Sequence, residues 1–365
     1  MPPRLQAYVL TRALAGVGAA LAVVSAVIVL VDLVELSRTL GTRGDIDFAR
    51  LLELTLLKSP SVVLLLLPFV FLFGAMGAYV ALNRRSELVA MRAAGMSAWG
   101  FILPAATAAL VIGVISVAIL NPLAASLNAR FEDQKWSLIS GGAAGSNAEI
   151  WLRQGDGASQ TVIHARSRDS LHDVIRLMHV SIFIQTVNPS GGVAFNRRIE
   201  ADQALLMPGE WRLSRVREVR AGSESVRSET LSLPSPLDRR SAMETFVSPG
   251  AVAFWDLPAT IRSADLAGYA SSAYRLHLQQ LIAIPLLLVG MTVLGASFSL
   301  RLIRMGDLGA LAAAGVGLGF VVFFLNQFCG ALGATDVIPV WLAAWAPPLL
   351  ALLSACTILC YTEDG

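Results

Sequence analysis

The chain has 365 residues, 55% of them hydrophobic and 15% charged, with a mean hydropathy of +0.64. That balance excludes an ordinary soluble globular protein, and a formal net charge of +2 gives no ground for a nucleic-acid partner. Only Lys58 and Lys135 among the 28 basic residues are lysine, a bias of base composition that points to no partner.

A bilayer core of ~30 Å is crossed by ~20 apolar residues as helix. Arg4 and Arg12 precede an apolar run from Ala13 to Val31, the core of a first span over roughly 10–32, and "DLVELSRT" follows it where a cleavage site would need small residues, so this run is read as a retained anchor. Further runs cover 61–82 and 99–120, separated by a charged, helix-forming island, "LNRRSELVAMRAAGMSAWG". Apolar density then falls over 121–275. Within it "AEIWLRQ" (148–154), "TVIHARSR" (161–168), "VIRLMHVSIFIQT" (174–186) and "EWRLSRVREV" (210–219) read as short strands separated by turn material. From about Leu257 the pattern is helical again, leading into apolar runs over 276–300, 308–329 and 339–360. Cys329, Cys356 and Cys360 lie in or beside these last runs and offer the polar segment no disulfide framework.

The expected fold is thus an α-helical membrane protein with six transmembrane helices, three and three, around an inserted external all-β domain, a sandwich, jellyroll-like or similar fold. Its parts are 1–120 with a short cytoplasmic helix over about 84–95, 121–275 with a helical linker into the fourth span, and 276–365. Orientation follows from basic loops: Arg4 and Arg12, then Arg84, Arg85 and Arg92, then Arg301 and Arg304, set against a loop at 330–338 without any base. The positive-inside rule makes both termini and the island cytoplasmic and 121–275 external. The 33–60 loop, with Arg38, Arg43, Arg50 and Lys58 among acidic residues, runs mildly against this assignment.

No Gly-Lys dipeptide occurs, so the chain has no P-loop and is no ATPase of its own. His164, His172, His179 and His277 lack metal-ligand spacing, and no metal or cofactor is expected. In the island, Leu88, Met91, Ala94 and Gly95 fall on one helical stripe and Gly95 suits a C-terminal cap. Glu87 is then an exposed carboxylate on a short amphipathic helix. Two readings are open: a coupling helix that docks into a partner, or a solvated turn bearing positive-inside charges.

"RRSELVAMRAAGMS" closely resembles the cytoplasmic loop of the LptF/LptG (YjgP/YjgQ) permeases, membrane subunits of the lipopolysaccharide-export ABC transporter. "SAYRLHLQQLIAIPL" at the fourth span and "GVGLGFVVFFLNQFCGALG" in the fifth extend the resemblance over the chain, and the fifth span, "IRMGDLG" and "YTEDG" are more similar to LptG than to LptF. The resemblance implies that the island helix, through Arg85, Ser86, Glu87, Leu88 and Met91, docks into a dimeric ATPase, LptB. It further implies a sister permease, LptF, periplasmic partners LptC and LptA, and lipopolysaccharide as substrate. Candidate lipid contacts are Lys58, Arg130 and Arg38 for phosphates and Phe69, Phe320 and Phe324 for acyl chains, and Gly315 and Gly319 suggest a small-residue lateral gate. The sequence departs from the family where Val29, Glu35 and Leu36 replace lysines near the outer end of the first helix, and where Gln280 replaces a base. A membrane scaffold or sensor with a β partner-binding domain, or an ABC permease for another envelope lipid or lipoprotein, stands as the alternative.

Overall fold

The computed structural model describes residues 3–40, 47–139, 150–155, 159–169, 175–187, 193–220, 225–235, 249–266, 271–302 and 308–363. Arg43, His172, Arg304 and residues 148–149 of the first expected strand lie outside these.

The helices are α1 (Pro3–Leu40), α2 (Phe48–Arg84), α3 (Glu87–Ala93), α4 (Ala98–Ile115), α5 (Asn121–Ile139), α6 (Leu257–Leu266), α7 (Ser272–Leu302), α8 (Leu308–Ala334) and α9 (Val340–Glu363). Among the described residues, six helical stretches are long and apolar enough to cross a membrane: Arg4–Thr39, Phe48–Arg84, Ala98–Glu132, Ser272–Leu300, Ala313–Ala334 and Val340–Tyr361. The first four outrun the apolar runs because helix continues into polar flanks where backbone hydrogen bonds still close. The third is the clearest case. Hydropathy ends it at 120, but α4 passes through a π-helical turn, Ser116–Leu120, straight into α5, so helix runs on to Ile139 and the first described strand begins at Ile150.

The turn has a covalent cause. Pro122 has no N–H to offer the carbonyl four residues back, that of Ala118, and a widened turn accommodates its ring. The freed Ala118 oxygen accepts from Trp255 Nε1 at 3.0 Å, while Asn121 Oδ1 accepts the Phe254 N–H at 2.9 Å. The returning segment Pro249–Leu257 is thereby stitched to the helical unit.

Two compact units result: Met1–Lys135 with Pro249–Leu257 and Ser272–Gly365, and Trp136–Ser248 with Pro258–Ser271. In the helical unit, Leu72 and Tyr79 of α2, Phe101 of α4 and Leu288, Met291 and Leu294 of α7 form the buried centre. Hydrophobicity alone does not hold apolar helices together in lipid, so close packing and polar ties must. Tyr79 Oη donates to the Phe101 carbonyl at 3.0 Å and Ser299 Oγ to that of Met76 at 3.3 Å. Helices α1 and α2 touch through glycine: a Cβ on Gly16 would stand 2.4 Å from the Gly74 carbonyl oxygen.

Among the described residues the second unit carries six antiparallel strands, β1 (Ile150–Gly155), β2 (Ser159–Asp169), β3 (Arg176–Val187), β4 (Val193–Met207), β5 (Glu210–Arg220) and β6 (Val226–Pro234), paired in sequential order. The sequence predicts β1, β2, β3 and β5 and omits β4 and β6. The inner face is apolar, built from Leu152, Ile163, Leu177, Ile182, Ile199, Trp211, Leu213 and Leu233. Alternation slips along one transverse row: Leu177 is followed inward by Val180, Ala201 by Ala204 and Leu213 by Val216, intervals of three where a strand gives two. His179 (φ 50°) and Arg215 (φ 52°) take left-handed backbone on this row, which returns their strands to the inner face. At one rim the edges β1 and β6 meet on a buried glutamine: Gln154 Oε1 accepts from Trp211 Nε1 (3.3 Å) and Ser235 Oγ (2.7 Å), and its Nε2 donates to the Pro234 carbonyl (3.3 Å).

Candidate functional site

The island between the second and third spans is ordered by backbone chemistry. Helix α2 ends as the Arg85 N–H closes onto Ala81 (3.3 Å) and the Ser86 N–H onto Asn83 (2.8 Å). Ser86 then turns left-handed (φ 57°, ψ 13°), and α3 begins at Glu87. Leu88 and Met91 bury into the helical core, leaving Arg85 and Ser86 exposed. The helix stops at Gly95 (φ 80°), whose N–H meets the Arg92 carbonyl at 2.9 Å while the Met96 N–H meets that of Met91 at 3.2 Å, a Schellman closure. Ser97 caps α4, its Oγ accepting from the Gly100 N–H at 3.4 Å.

Glu87 departs from expectation. It is half-buried, because the start of α1 lies beside α3 and Tyr8 Oη donates to Glu87 Oε2 at 2.8 Å. Arg12 Nε in turn donates to Tyr8 Oη at 3.2 Å, with its guanidinium carbon 5.2 Å from the Tyr8 ring centre. Glu87 and Tyr8 both line an apolar groove of about 550 Å³, together with Leu5, Ala90, Met91, Ala94 and Met96, and Tyr8 is the one hydrogen-bond partner of the carboxylate among the described residues. A groove with this lining has room for an apolar side chain or the stem of a basic one.

The cation candidates sit near the other end of α2 and on α1 and α5. Lys58 is already engaged: its Nζ is 2.8 Å from Asp32 Oδ1 and 3.5 Å from Glu35 Oε2. Since α1 runs on to Leu40, both acids lie on that helix within reach of α2, and Asp32 is only 6% exposed. Arg38, in the last turn of α1, and Arg130 on α5 are exposed.

The aromatic candidates divide. Phe69 packs on Phe323 with ring centres 5.7 Å apart, a contact within the chain. Phe320 and Phe324 stack along α8 at 6.4 Å, and Phe328 continues the row at 6.1 Å; Phe320 and Phe324 are 63% and 60% exposed. Gly315 and Gly319 turn to α2: a Cβ would meet Met76 Sδ at 2.5 Å in the first case and the Phe69 ring at 3.0 Å in the second. The seam that requires their small size is therefore with the chain's own second helix. Sequence reasoning misses Tyr8 and Asp32; the one signal for Asp32 is an acid closing an apolar run with a lysine opening the next.

Residues 7–361 match the family described as lipopolysaccharide export system permease LptF/LptG. The chain belongs to this family. It is similar to lipopolysaccharide export system permease protein LptG of Escherichia coli K12 and of Escherichia coli O6:H1, 24% identical to each over 304 residues, which is 80% of either chain. An LptF/LptG permease is a membrane subunit, and the six apolar helices with their inserted sheet are the architecture expected of it.

Proposed function

We propose that this chain is one of the two permease subunits of the lipopolysaccharide-export transporter, in the LptG role, working with LptF and a dimer of the ATPase LptB. It extracts lipopolysaccharide from the outer leaflet of the inner membrane and passes it through LptC and LptA toward the outer membrane. Both termini and α3 are cytoplasmic and the β unit is periplasmic, as the basic loops argue. The observation that carries this reading is Glu87, a carboxylate with one oxygen held by Tyr8, lining an apolar groove on a helix pinned by Leu88 and Met91. A basic side chain of the ATPase fits there, making a charge-assisted contact.

For the lipid, Arg38 and Arg130 are the available phosphate partners, whereas Lys58 shapes the site through its ion pair with Asp32. The exposed Phe320 and Phe324 row supplies apolar surface for acyl chains and the moving edge of a lateral gate. Phe69, Gly315 and Gly319 set how closely that edge rides on α2. Topology tests the frame: a cysteine in 150–220 reacts with a membrane-impermeant thiol reagent in spheroplasts and one at Ser86 does not, and LptB and LptF co-purify with the chain. Labelling at Ser86 would overturn the reading.

A further inference from the structure

Tyr8 uses both hydrogen-bonding capacities of its hydroxyl, accepting from Arg12 Nε at 3.2 Å and donating to Glu87 Oε2 at 2.8 Å. The three residues link two elements far apart in sequence, the first turns of α1 and the short α3. Hydrophobic contact through Leu88 and Met91 seats α3 but cannot fix the rotation of a glutamate at its first position, where the side chain has several open rotamers. A hydrogen bond to one carboxylate oxygen does, because it leaves a single direction for the other. Neighbouring Val9 and Ala13 are buried in the same core as Leu88 and Met91, so the Tyr8 segment is itself held.

We propose that Tyr8 is a positioning residue: held by Arg12, it fixes Glu87 so that Oε1 is presented to a basic side chain of the ATPase, and it binds α3 to α1 so that force applied at the groove enters the first span. The inference rests on the coupling reading of Glu87 given above. It makes the carboxylate's geometry, rather than its charge alone, the determinant of docking. The groove then transmits in two directions, into the core through Met91 and into α1 through the Tyr8 hydroxyl.

Tyr8→Phe is the informative variant, since it keeps the ring and its stacking with Arg12 and removes only the donor. In nanodiscs holding both permeases, the dissociation constant of the ATPase dimer is measured for wild type, Tyr8→Phe, Glu87→Gln and the double variant, with Glu87→Lys as control. Loss of one hydrogen bond to a charged group predicts about tenfold weaker binding for Tyr8→Phe. In the Glu87→Gln background the same change should cost less than about twofold, because the carboxylate it orients is gone. Wild-type affinity in Tyr8→Phe, or losses that simply add in the double variant, would overturn the role of Tyr8 while Glu87→Lys still releases the ATPase. If Glu87→Lys also binds normally, the coupling reading itself falls.

Discussion

Asp32 and Lys58, on different helices and 26 residues apart in sequence, form a 2.8 Å ion pair in which the acid is 6% exposed and the lysine side chain 25%. An ionisable residue inside an apolar helix is costly unless paired. Each partner therefore explains the other, and removing one leaves a poorly solvated charge behind. Asp32→Ala or Lys58→Met should destabilise by somewhat less than the ~3–5 kcal/mol of a fully buried pair, since Lys58 keeps some solvent. The reversed pair, Asp32→Lys with Lys58→Asp, should recover most of the loss. Thermal inactivation in detergent reads this, and a Lys58→Met variant as stable as wild type would show that the pair does not hold α1 to α2.

The glycines of α8 give a contrast within one helix. A side chain at Gly319 meets the Phe69 ring, whereas a Cβ on Gly317 would find nothing within 4 Å. Gly319→Leu should cost roughly 1–3 kcal/mol through overpacking and Gly317→Leu close to nothing. Equal effects in a thermal-shift assay would contradict the α2–α8 seam.

In the β unit, Gln154→Leu removes the group on which the two edge strands meet and orphans the indole N–H of the fully buried Trp211. A buried donor left unpaired costs about 1–3 kcal/mol. Amide hydrogen exchange should quicken in 150–155 and 226–235 before the middle strands; uniform acceleration or none would count against a closed rim.

Glu218 sets an acid limit. Partial burial acts to raise its pKa, but hydrogen bonds and attraction from Arg197 (3.1 Å) and Arg220 (2.9 Å) outweigh that and hold the carboxyl below its usual range. A carboxyl that is more acidic folded than unfolded stabilises fully above the unfolded value, about 4.3, and loses that contribution as pH falls through the folded one. Glu218→Gln should therefore lower the unfolding temperature at pH 7, and the gap to wild type should close as pH falls through the folded-state value. A gap that persists at acid pH would assign the effect to packing instead.

Length and hydropathy made the six spans legible, because a 20-residue apolar stretch has few other fates. They left the third span ending at 120, where apolar density falls, although helix continues there through a π-helical turn with Trp255 as its outside donor. Strands β4 and β6 stayed hidden for another reason. In β4 the inward positions Ile199, Ala201 and Ala204 change interval at the slipped row, which erases the period-two signal, and β6 shows mostly exposed polar residues on its edge. In the island, the stripe of Leu88 and Met91 and the Gly95 stop were readable from helical spacing. The Tyr8–Glu87 contact was not, since a hydrogen bond across 79 residues leaves no local pattern.

If the ATPase engages the membrane helices at α3, as proposed, Glu87 is where the contact is most readily broken. If the carboxylate were merely solvated, Glu87→Ala would change little, because exposed pairs contribute ~0–1 kcal/mol. If it is docked and desolvated on binding, truncation costs ~2–5 kcal/mol of association, and Glu87→Lys adds like-charge repulsion. The measurement is ATPase subunit retained and lipopolysaccharide released by the purified complex carrying each change. Retention and release should fall in the order wild type, Glu87→Ala, Glu87→Lys; wild-type values for both in Glu87→Lys would contradict the claim.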